Sequence, residues 1–421
     1  MLNQAIRLAA ACVLTAGLPA VSVPGSPAAS PPGIRQQVRA DEMPELREID
    51  VPAAWRVTKG AGVTVAVLDT GADPAIPDLT GSVTTGPDYT LGADPPGYQP
   101  PHLHGTYIAS LIAGHGSGPG RSGGVIGVAP DARILSVRVI LDDQEPGLDV
   151  YNANPRYADA IPDGIRYAVG HGAQVINMSL GSAVPTRATL LAIGYAISHN
   201  VVVVASAGND GNSGRGFTPY SYPASFTGVI SVAAVGDTGQ RASFSDRNAS
   251  VVISAPGVNV VGAGPGGEYL IASGTSPAAA FVSGVAALIR SKYPQLAPAL
   301  VTQALVSSAR HRPPAGYSPS TGFGEVDAGA ALAAAGRLAA QRPGAGLSAS
   351  AHFGTGGPGP IQVVRRSYRK IVALVVLAGV AVLGFLLALT LLVMQVRRSR
   401  AQRAPERNVS ADGGNMTVTE T

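Results

Sequence analysis

The stretch Val63–Thr70, VTVAVLDT, carries the first clear sign of secondary structure in this chain. Its apolar side chains follow one another almost without interruption, which is typical of a strand buried on both faces of a parallel sheet. The run ends at Asp69, so a carboxylate stands at the carboxyl end of the predicted strand. The segment therefore predicts a strand of a parallel sheet with the carboxylate of Asp69 at its carboxyl end.

Later runs share this apolar character, and stretches with apolar residues at helical spacing lie between them. The strand-like runs are 132–140 (ARILSVRVI), 173–181 (AQVINMSLG), 200–209 (NVVVVASAGN) and 228–236 (GVISVAAVG). The helix-like stretches are 105–115, 159–172, 189–200 and 277–293. This alternation predicts an α/β fold, in which helices cover both faces of a mostly parallel sheet.

The charge and aromatic content argue against a nucleic-acid partner. Only 5% of the 421 residues are aromatic, and much of the formal net charge of +4 lies in two small clusters near the C-terminus. Nucleic-acid-binding proteins usually carry a basic face interleaved with aromatic side chains, and this sequence has none.

Two apolar segments indicate export and a membrane anchor. Residues 1–29 resemble a secretory signal peptide, with Arg7 ahead of an apolar run and small residues and prolines after it. The single cysteine, Cys12, lies in this run, so we expect a mature chain without a thiol for a disulfide, a metal or a nucleophile. Residues 371–396 carry no charge, and as a helix they would span about 39 Å, against about 30 Å of membrane hydrocarbon.

The export signal sets the expected orientation, because basic residues flank the predicted anchor on both sides and do not orient it. We expect the tail in the cytoplasm and the folded domain outside the cytoplasmic membrane. The predicted organisation is a signal peptide 1–29, an N-terminal extension 30–50, a folded domain 51–335, a Pro/Gly-rich linker 336–370, a transmembrane helix 371–396 and a cytoplasmic tail 397–421.

Polar residues close three of the predicted strands. Asp69 ends the first, 177–181 (NMSLG) ends another, and 206–209 (SAGN) ends a third. Ligands of open parallel sheets bind outside the carboxyl ends of the strands. We therefore expect a site at this edge.

Asp69, His104 and Ser276 supply the residue types of a nucleophilic serine site. A serine hydroxyl needs a base to take its proton, an imidazole can act as base and then acid, and a carboxylate holds the imidazole in one tautomer. His102 is an alternative base, and His104 is favoured because Gly105 and a helical stretch follow it directly.

Ser276 is expected at the N-cap of a helix, with Pro277 at its first position. The N–H groups at such an end, with the side chain of Asn209, would stabilise an oxyanion. Taken one at a time, Ser276 could be only a cap, and Asp69 and Asn209 only turn residues. Together, an aspartate, a histidine and a serine at positions where a site is expected favour a catalytic role.

A cluster of acidic residues follows the second strand-like run. It consists of Asp142, Asp143, Glu145 and Asp149. Clustered carboxylates can bind calcium, but regular ligand spacing is absent, so we interpret this segment as a solvated charged loop. We expect no metal and no cofactor.

The motifs DTG, HGT, SLG, AGN and GTS-x-A-A, in this order, resemble those of the subtilisin-like serine peptidases, from about Trp55 to Ala335. The resemblance implies a subtilisin-like three-layer fold and peptide-bond hydrolysis by Asp69, His104 and Ser276. It also implies that Asn209 lines the oxyanion hole and that residues 179–181 (Ser179, Leu180 and Gly181) bind an extended peptide as an added strand. The chain departs from the family at Ala280, where a proline is usual.

The order of segments is similar to that of the mycosins, the membrane-anchored subtilisin-like proteases of type VII secretion systems in actinobacteria. This resemblance implies a serine endopeptidase associated with a secretion membrane complex. The alternative is a structural partner of that complex with weak or no proteolysis. A lipase or esterase is disfavoured, because the sequence lacks a G-x-S-x-G elbow and that class has the chain order Ser, acid, His.

Overall fold

The computed structural model describes residues 32–212, 217–341 and 368–401. The chain divides into two units, Met1–Arg342 and Pro343–Thr421. The predicted signal peptide and most of the predicted linker and tail lie outside the described residues.

A parallel sheet of seven strands forms the centre of the first unit, and it confirms the predicted fold class. Its members are β1 (Thr64–Asp69), β2 (Val83–Asp88), β5 (Arg133–Arg138), β6 (Val175–Met178), β7 (Val202–Ser206), β8 (Ile230–Val235) and β9 (Ile253–Pro256). Their order across the sheet is β2-β5-β1-β6-β7-β8-β9. The first strand thus lies inside the sheet, between β5 and β6. Two antiparallel pairs lie outside this sheet, β3 (His115–Ser117) with β4 (Gly123–Ile126) and β10 (Val260–Ala263) with β11 (Tyr269–Ala272).

Alternate residues of the strands enter different apolar cores, as the pleat of a strand requires. In β1, Val65 and Val67 belong to one core, whereas Ala66 and Leu68 belong to the other. The first core is completed by α1 (Pro32–Glu48), α2 (Val51–Trp55), α3 (Leu103–Ala113), α7 (Thr275–Lys292), α8 (Pro298–Ser308) and α9 (Ala328–Ala340). The second is completed by α4 (Leu148–Ala153), α5 (Ala160–Gly170) and α6 (Arg187–Ser198). Helices therefore cover both faces of the sheet.

The predicted N-terminal extension is helical and packs on the folded domain. Arg39 Nε donates to the carbonyl of Gly124 at 2.9 Å, and the N–H of Ile126 donates to Glu42 Oε2 at 2.8 Å. Helix α1 is thereby fixed along β4, and Trp55 at the end of α2 donates its indole N–H to Val128 O. At the other end of the unit, α9 continues to Ala340, beyond the predicted domain end at Ala335.

The second unit contains α10, Tyr368–Ala401. Within it, Val375–Gln395 has a mean hydropathy of 2.8. Among the described residues it is the one helix long and apolar enough to cross a membrane. It falls inside the predicted span 371–396.

Candidate active site

Asp69 occupies the carboxyl end of β1 and is fully buried. Its Oδ1 accepts the N–H of Thr70 at 2.8 Å and lies 2.6 Å from Nδ1 of His104. A carboxylate can only accept, so the imidazole donates from Nδ1, and Nε2 is left as the basic nitrogen. The structure thus brings together the predicted acid and base across the junction of β1 and α3.

His104 is the second residue of α3, and a close backbone approach fixes its position. The N–H of Gly105 donates to Thr70 Oγ1 at 3.0 Å. A Cβ on Gly105 would overlap the carbonyl of Gly71, so the helix can come this near only because the residue is glycine. The other candidate base, His102, lies at the N-cap with a φ of 53° and contacts the carbonyl of Thr70 instead of Asp69.

Ser276 is the second residue of α7 and is 4% exposed. The expectation that it is the N-cap is wrong, because the helix begins at Thr275 and Gly274 is the cap. The N–H of Ser276 therefore belongs to the first helical turn, whose N–H groups have no partner within the helix. Pro277 lies in the same turn, so its missing N–H breaks no helical hydrogen bond.

The end of β6 and the start of α7 are tied together by serine and asparagine side chains. Ser276 Oγ donates to Ser179 O at 3.3 Å, and Ser179 Oγ donates back to Ser276 O at 3.0 Å. Asn177 Nδ2 donates to Ser179 Oγ, and Ser283 Oγ donates to Asn177 Oδ1. The side chain of Ser179 thus holds Ser276 in place. Leu180 is buried, and Ser182, just after Gly181, pairs by backbone with Tyr222.

Asn209 lies beside the start of α7. Its Oδ1 accepts the N–H and the hydroxyl of Thr275, both at 2.9 Å. These bonds direct Nδ2 toward Gly274, where it lies 3.5 Å from the point that a Cβ would occupy. Buried Asp246 holds the loop by accepting the N–H of Asp210 at 2.8 Å, and burial raises the pKa of Asp246 to about 7.

A cavity of about 120 Å³ opens beside His104. Apolar side chains form most of its wall, and the acidic and amide groups of Asp142, Asp143 and Gln144 contribute to the rest. The residues that line it are Thr70, Pro101, Leu103, His104, Tyr107, Ile140, Leu141, Asp142, Asp143, Gln144, Leu270 and Ala272. The sequence alone did not reveal this cavity, since its residues come from distant segments.

The interpretation of the acidic segment as a solvated loop is wrong for two of its members. Asp142 is 8% exposed and Glu145 is 3% exposed, whereas Asp143 and Asp149 are exposed. Within residues 32–212, 217–341 and 368–401, no group of histidines and carboxylates has a geometry that would hold a metal ion.

Comparison with known sequences gives a family for most of the first unit. The profile of the Subtilase family matches residues 60–324. Subtilisin E of Bacillus subtilis is 39% identical over 252 residues, which are 60% of this chain and 61% of that protein. Subtilisin of Bacillus pumilus is also 39% identical over 252 residues, 60% of this chain and 85% of its own. The chain thus spans less than two thirds of the length of subtilisin E.

Solved structures with the same fold include two from secretion-associated proteases. MycP1 from Mycobacterium smegmatis is 29% identical, with a TM-score of 0.58 over 69% of this chain and 84% of that one. The MycP3 protease of a type VII (ESX-3) secretion system is 32% identical, with a TM-score of 0.58 over 78% of this chain and 94% of that one.

Proposed function

The chain belongs to the subtilase family, and from this membership we propose that it is a serine endopeptidase acting through Ser276, His104 and Asp69. The observation that carries the proposal is the 2.6 Å contact between Asp69 and His104 at the carboxyl end of the sheet, where Ser276 lies in the first turn of α7. The role of each residue follows from its chemistry.

Ser276 attacks the peptide carbonyl while His104 takes the hydroxyl proton and later gives it to the leaving amine. Asp69 stabilises the imidazolium that forms in between. The N–H of Ser276 and Nδ2 of Asn209 donate to the oxyanion, and the loss of one such donor typically costs about 3 to 4 kcal/mol of transition-state stabilisation. The hydrogen bonds of Asn209 to Thr275 support this role because they fix the amide in advance.

The substrate is a protein or peptide that binds in an extended form. Residues 179–181 (Ser179, Leu180 and Gly181) offer their backbone to it as a neighbouring strand. The cavity beside His104 receives one apolar side chain of the substrate, since its wall is mostly apolar.

Ser276→Ala tests the proposal in the full-length chain purified in detergent. A fluorophosphonate probe should label the wild type with one equivalent and leave the variant unlabelled, because the probe forms a bond with an activated serine oxygen. Ser198→Ala, which removes an exposed hydroxyl at the end of α6, should label as the wild type does. Labelling that survives in Ser276→Ala would refute the assignment of the nucleophile.

We further propose that the protein is anchored in the cytoplasmic membrane by α10 and is associated with a type VII secretion complex. The apolar span Val375–Gln395 and the similarity to MycP1 and MycP3 support this context. They also support a second candidate function, a structural partner of the complex. Normal export in cells with Ser276→Ala, together with lost export on deletion of the chain, would favour the structural role.

A further inference from the structure

Asp142 holds the helix that carries His104, although it comes from a different part of the chain. Its Oδ2 accepts the N–H of Leu103 at 3.0 Å, and its Oδ1 accepts the N–H of His104 at 3.1 Å. These N–H groups open α3, where helical partners are lacking and the helix dipole favours a negative charge. The residue at the N-cap, His102, makes no capping bond with its side chain. The carboxylate of Asp142 thus supplies the missing cap.

An ion-pair network centred on the buried Arg138 and Glu145 fixes Asp142 in turn. The N–H of Asp142 donates to Glu145 Oε1 at 2.8 Å, and Glu145 Oε2 lies 2.5 Å from Arg138 Nη2. Arg138 also pairs with Asp88 and Asp94, at 2.9 and 3.3 Å. It ends β5 directly opposite Asp69 in the parallel register. The strand that adjoins the catalytic carboxylate therefore also anchors the loop that caps α3.

Besides capping α3, Asp142 interacts electrostatically with His104. Burial raises the pKa of Asp142, and the charge of His104 acts on it in the opposite direction. Desolvation by the surrounding loop raises the pKa of Asp143 as well, although its side chain is exposed, and His104 again opposes the shift. From β1 the imidazole faces Asp69, and the charges of Asp142 and Asp143 act on it from the loop after β5. The first turn of α7 and strand β10 bring no charged side chain.

We propose that Asp142 is a positioning residue for His104, which fixes the backbone that carries the imidazole and places a second negative charge beside the ring. The proposal rests on the peptidase function proposed above. The substrate carbonyl contacts Ser276 and not Asp142. Asp142 therefore affects the reaction only through the position and the basicity of the His104 imidazole.

Asp142→Asn and Asp149→Asn form a matched pair in the full-length chain. Both remove one negative charge from the same acidic segment, but Asp149 is exposed and does not line the cavity, and only Asp142 accepts the N–H groups that open α3. The pKa of His104 is read by NMR of ¹⁵N-labelled histidine, and its signal among the seven histidines is assigned with His104→Gln. The rate of fluorophosphonate labelling is measured in parallel from pH 5 to 9.

In Asp142→Asn we expect the pKa of His104 to fall by about one unit, and the acid limb of the labelling profile to move down with it. The plateau rate should fall about 10- to 100-fold, since the imidazole is no longer held in register. Asp149→Asn should shift the pKa of His104 by less than half as much and change the plateau rate less than about threefold. Equal effects of the two variants would overturn the proposal, and so would an unchanged pKa of His104 in folded Asp142→Asn.

Two further outcomes are distinguishable. A wild type that takes no probe but shows the shift of the His104 pKa in Asp142→Asn would refute the peptidase function and leave the coupling standing. If Asp142→Asn does not fold, the ¹³C carboxyl signal of Asp142 in the wild type is followed through the titration of His104. A step in that signal at the pKa of His104 supports the proposal, and a flat trace contradicts it.

Discussion

At the scale of single residues, Gly105 sets the distance between the base and its carboxylate. The first turn of α3 meets the loop after β1 with no room for a Cβ, because that atom would overlap the carbonyl of Gly71. Glycine is needed here for close approach and not for an unusual φ, so the requirement is one of space. The contact of 2.6 Å between Asp69 and His104 depends on this approach.

Gly105→Ala should therefore reduce fluorophosphonate labelling at least about 100-fold, since a displacement of about 1 Å can cost that much. The matched control is Gly194→Ala in α6, where a Cβ meets no atom within 4 Å. We expect that variant to label normally and to be slightly more stable, because alanine is the better helix former. Normal labelling of folded Gly105→Ala would show that the helix can move without disturbing the site.

The sequence predicted some residues of the site and not others, for a physical reason. Asp69 and Asn209 close apolar runs, and the ends of parallel strands meet at one edge, so their place follows from local pattern. Asp142 caps N–H groups that lie almost forty positions earlier in the chain. A carboxylate in a charged segment gives no local sign of such a partner, and it was interpreted as solvated.

At the scale of elements, the end of α1 brings an acidic group against the domain. Burial, together with Glu325, raises the pKa of Glu48 to about 7. Glu325 is itself buried and contacts His311 at 2.6 Å. The folded protein thus holds the proton of Glu48 more tightly than the unfolded chain does, so stability falls as the pH rises from about 4.5 toward 7.

Glu48→Gln should remove this part of the pH dependence. At pH 8 we expect Tm to rise by about 2 to 4 °C, because a half-buried charge is lost, and at pH 4 we expect little change. Asp41→Asn, on an exposed position of the same helix, should leave Tm within about 1 °C at both values. Scanning calorimetry of the three proteins measures the difference, and a parallel shift of Glu48→Gln at both pH values would contradict it.

Elements with strong apolar character were predicted correctly, and the weaker ones were missed. Strands β1, β5, β6, β7 and β8 are apolar runs, and the structure confirms each of them. Strand β2 has the sequence VTTGPD, with a single large apolar residue, and it lies at the edge of the sheet. Its pairing with β5 gives it its conformation, and such a long-range cause leaves no local pattern.

The export signal predicts that the first unit lies outside the cytoplasm and the tail inside. Single cysteines test it, because the one native cysteine, Cys12, lies in the predicted signal peptide. In spheroplasts a membrane-impermeant maleimide should label Ser198→Cys at once and Ser410→Cys only after lysis. The unmodified chain is the control for Cys12. Labelling of Ser410→Cys in intact spheroplasts would reverse the topology.

Helix α1 bears on how readily the proposed peptidase cleaves its own N-terminal segment. The proposed substrate binds as an added strand, and a segment wound into a helix and bonded to β4 through Arg39 and Glu42 offers no extended backbone. We therefore expect self-digestion within α1 only after α1 leaves β4. The rate at which fragments cut within α1 appear during storage would then depend on how often that contact opens, and not on the turnover of Ser276 alone.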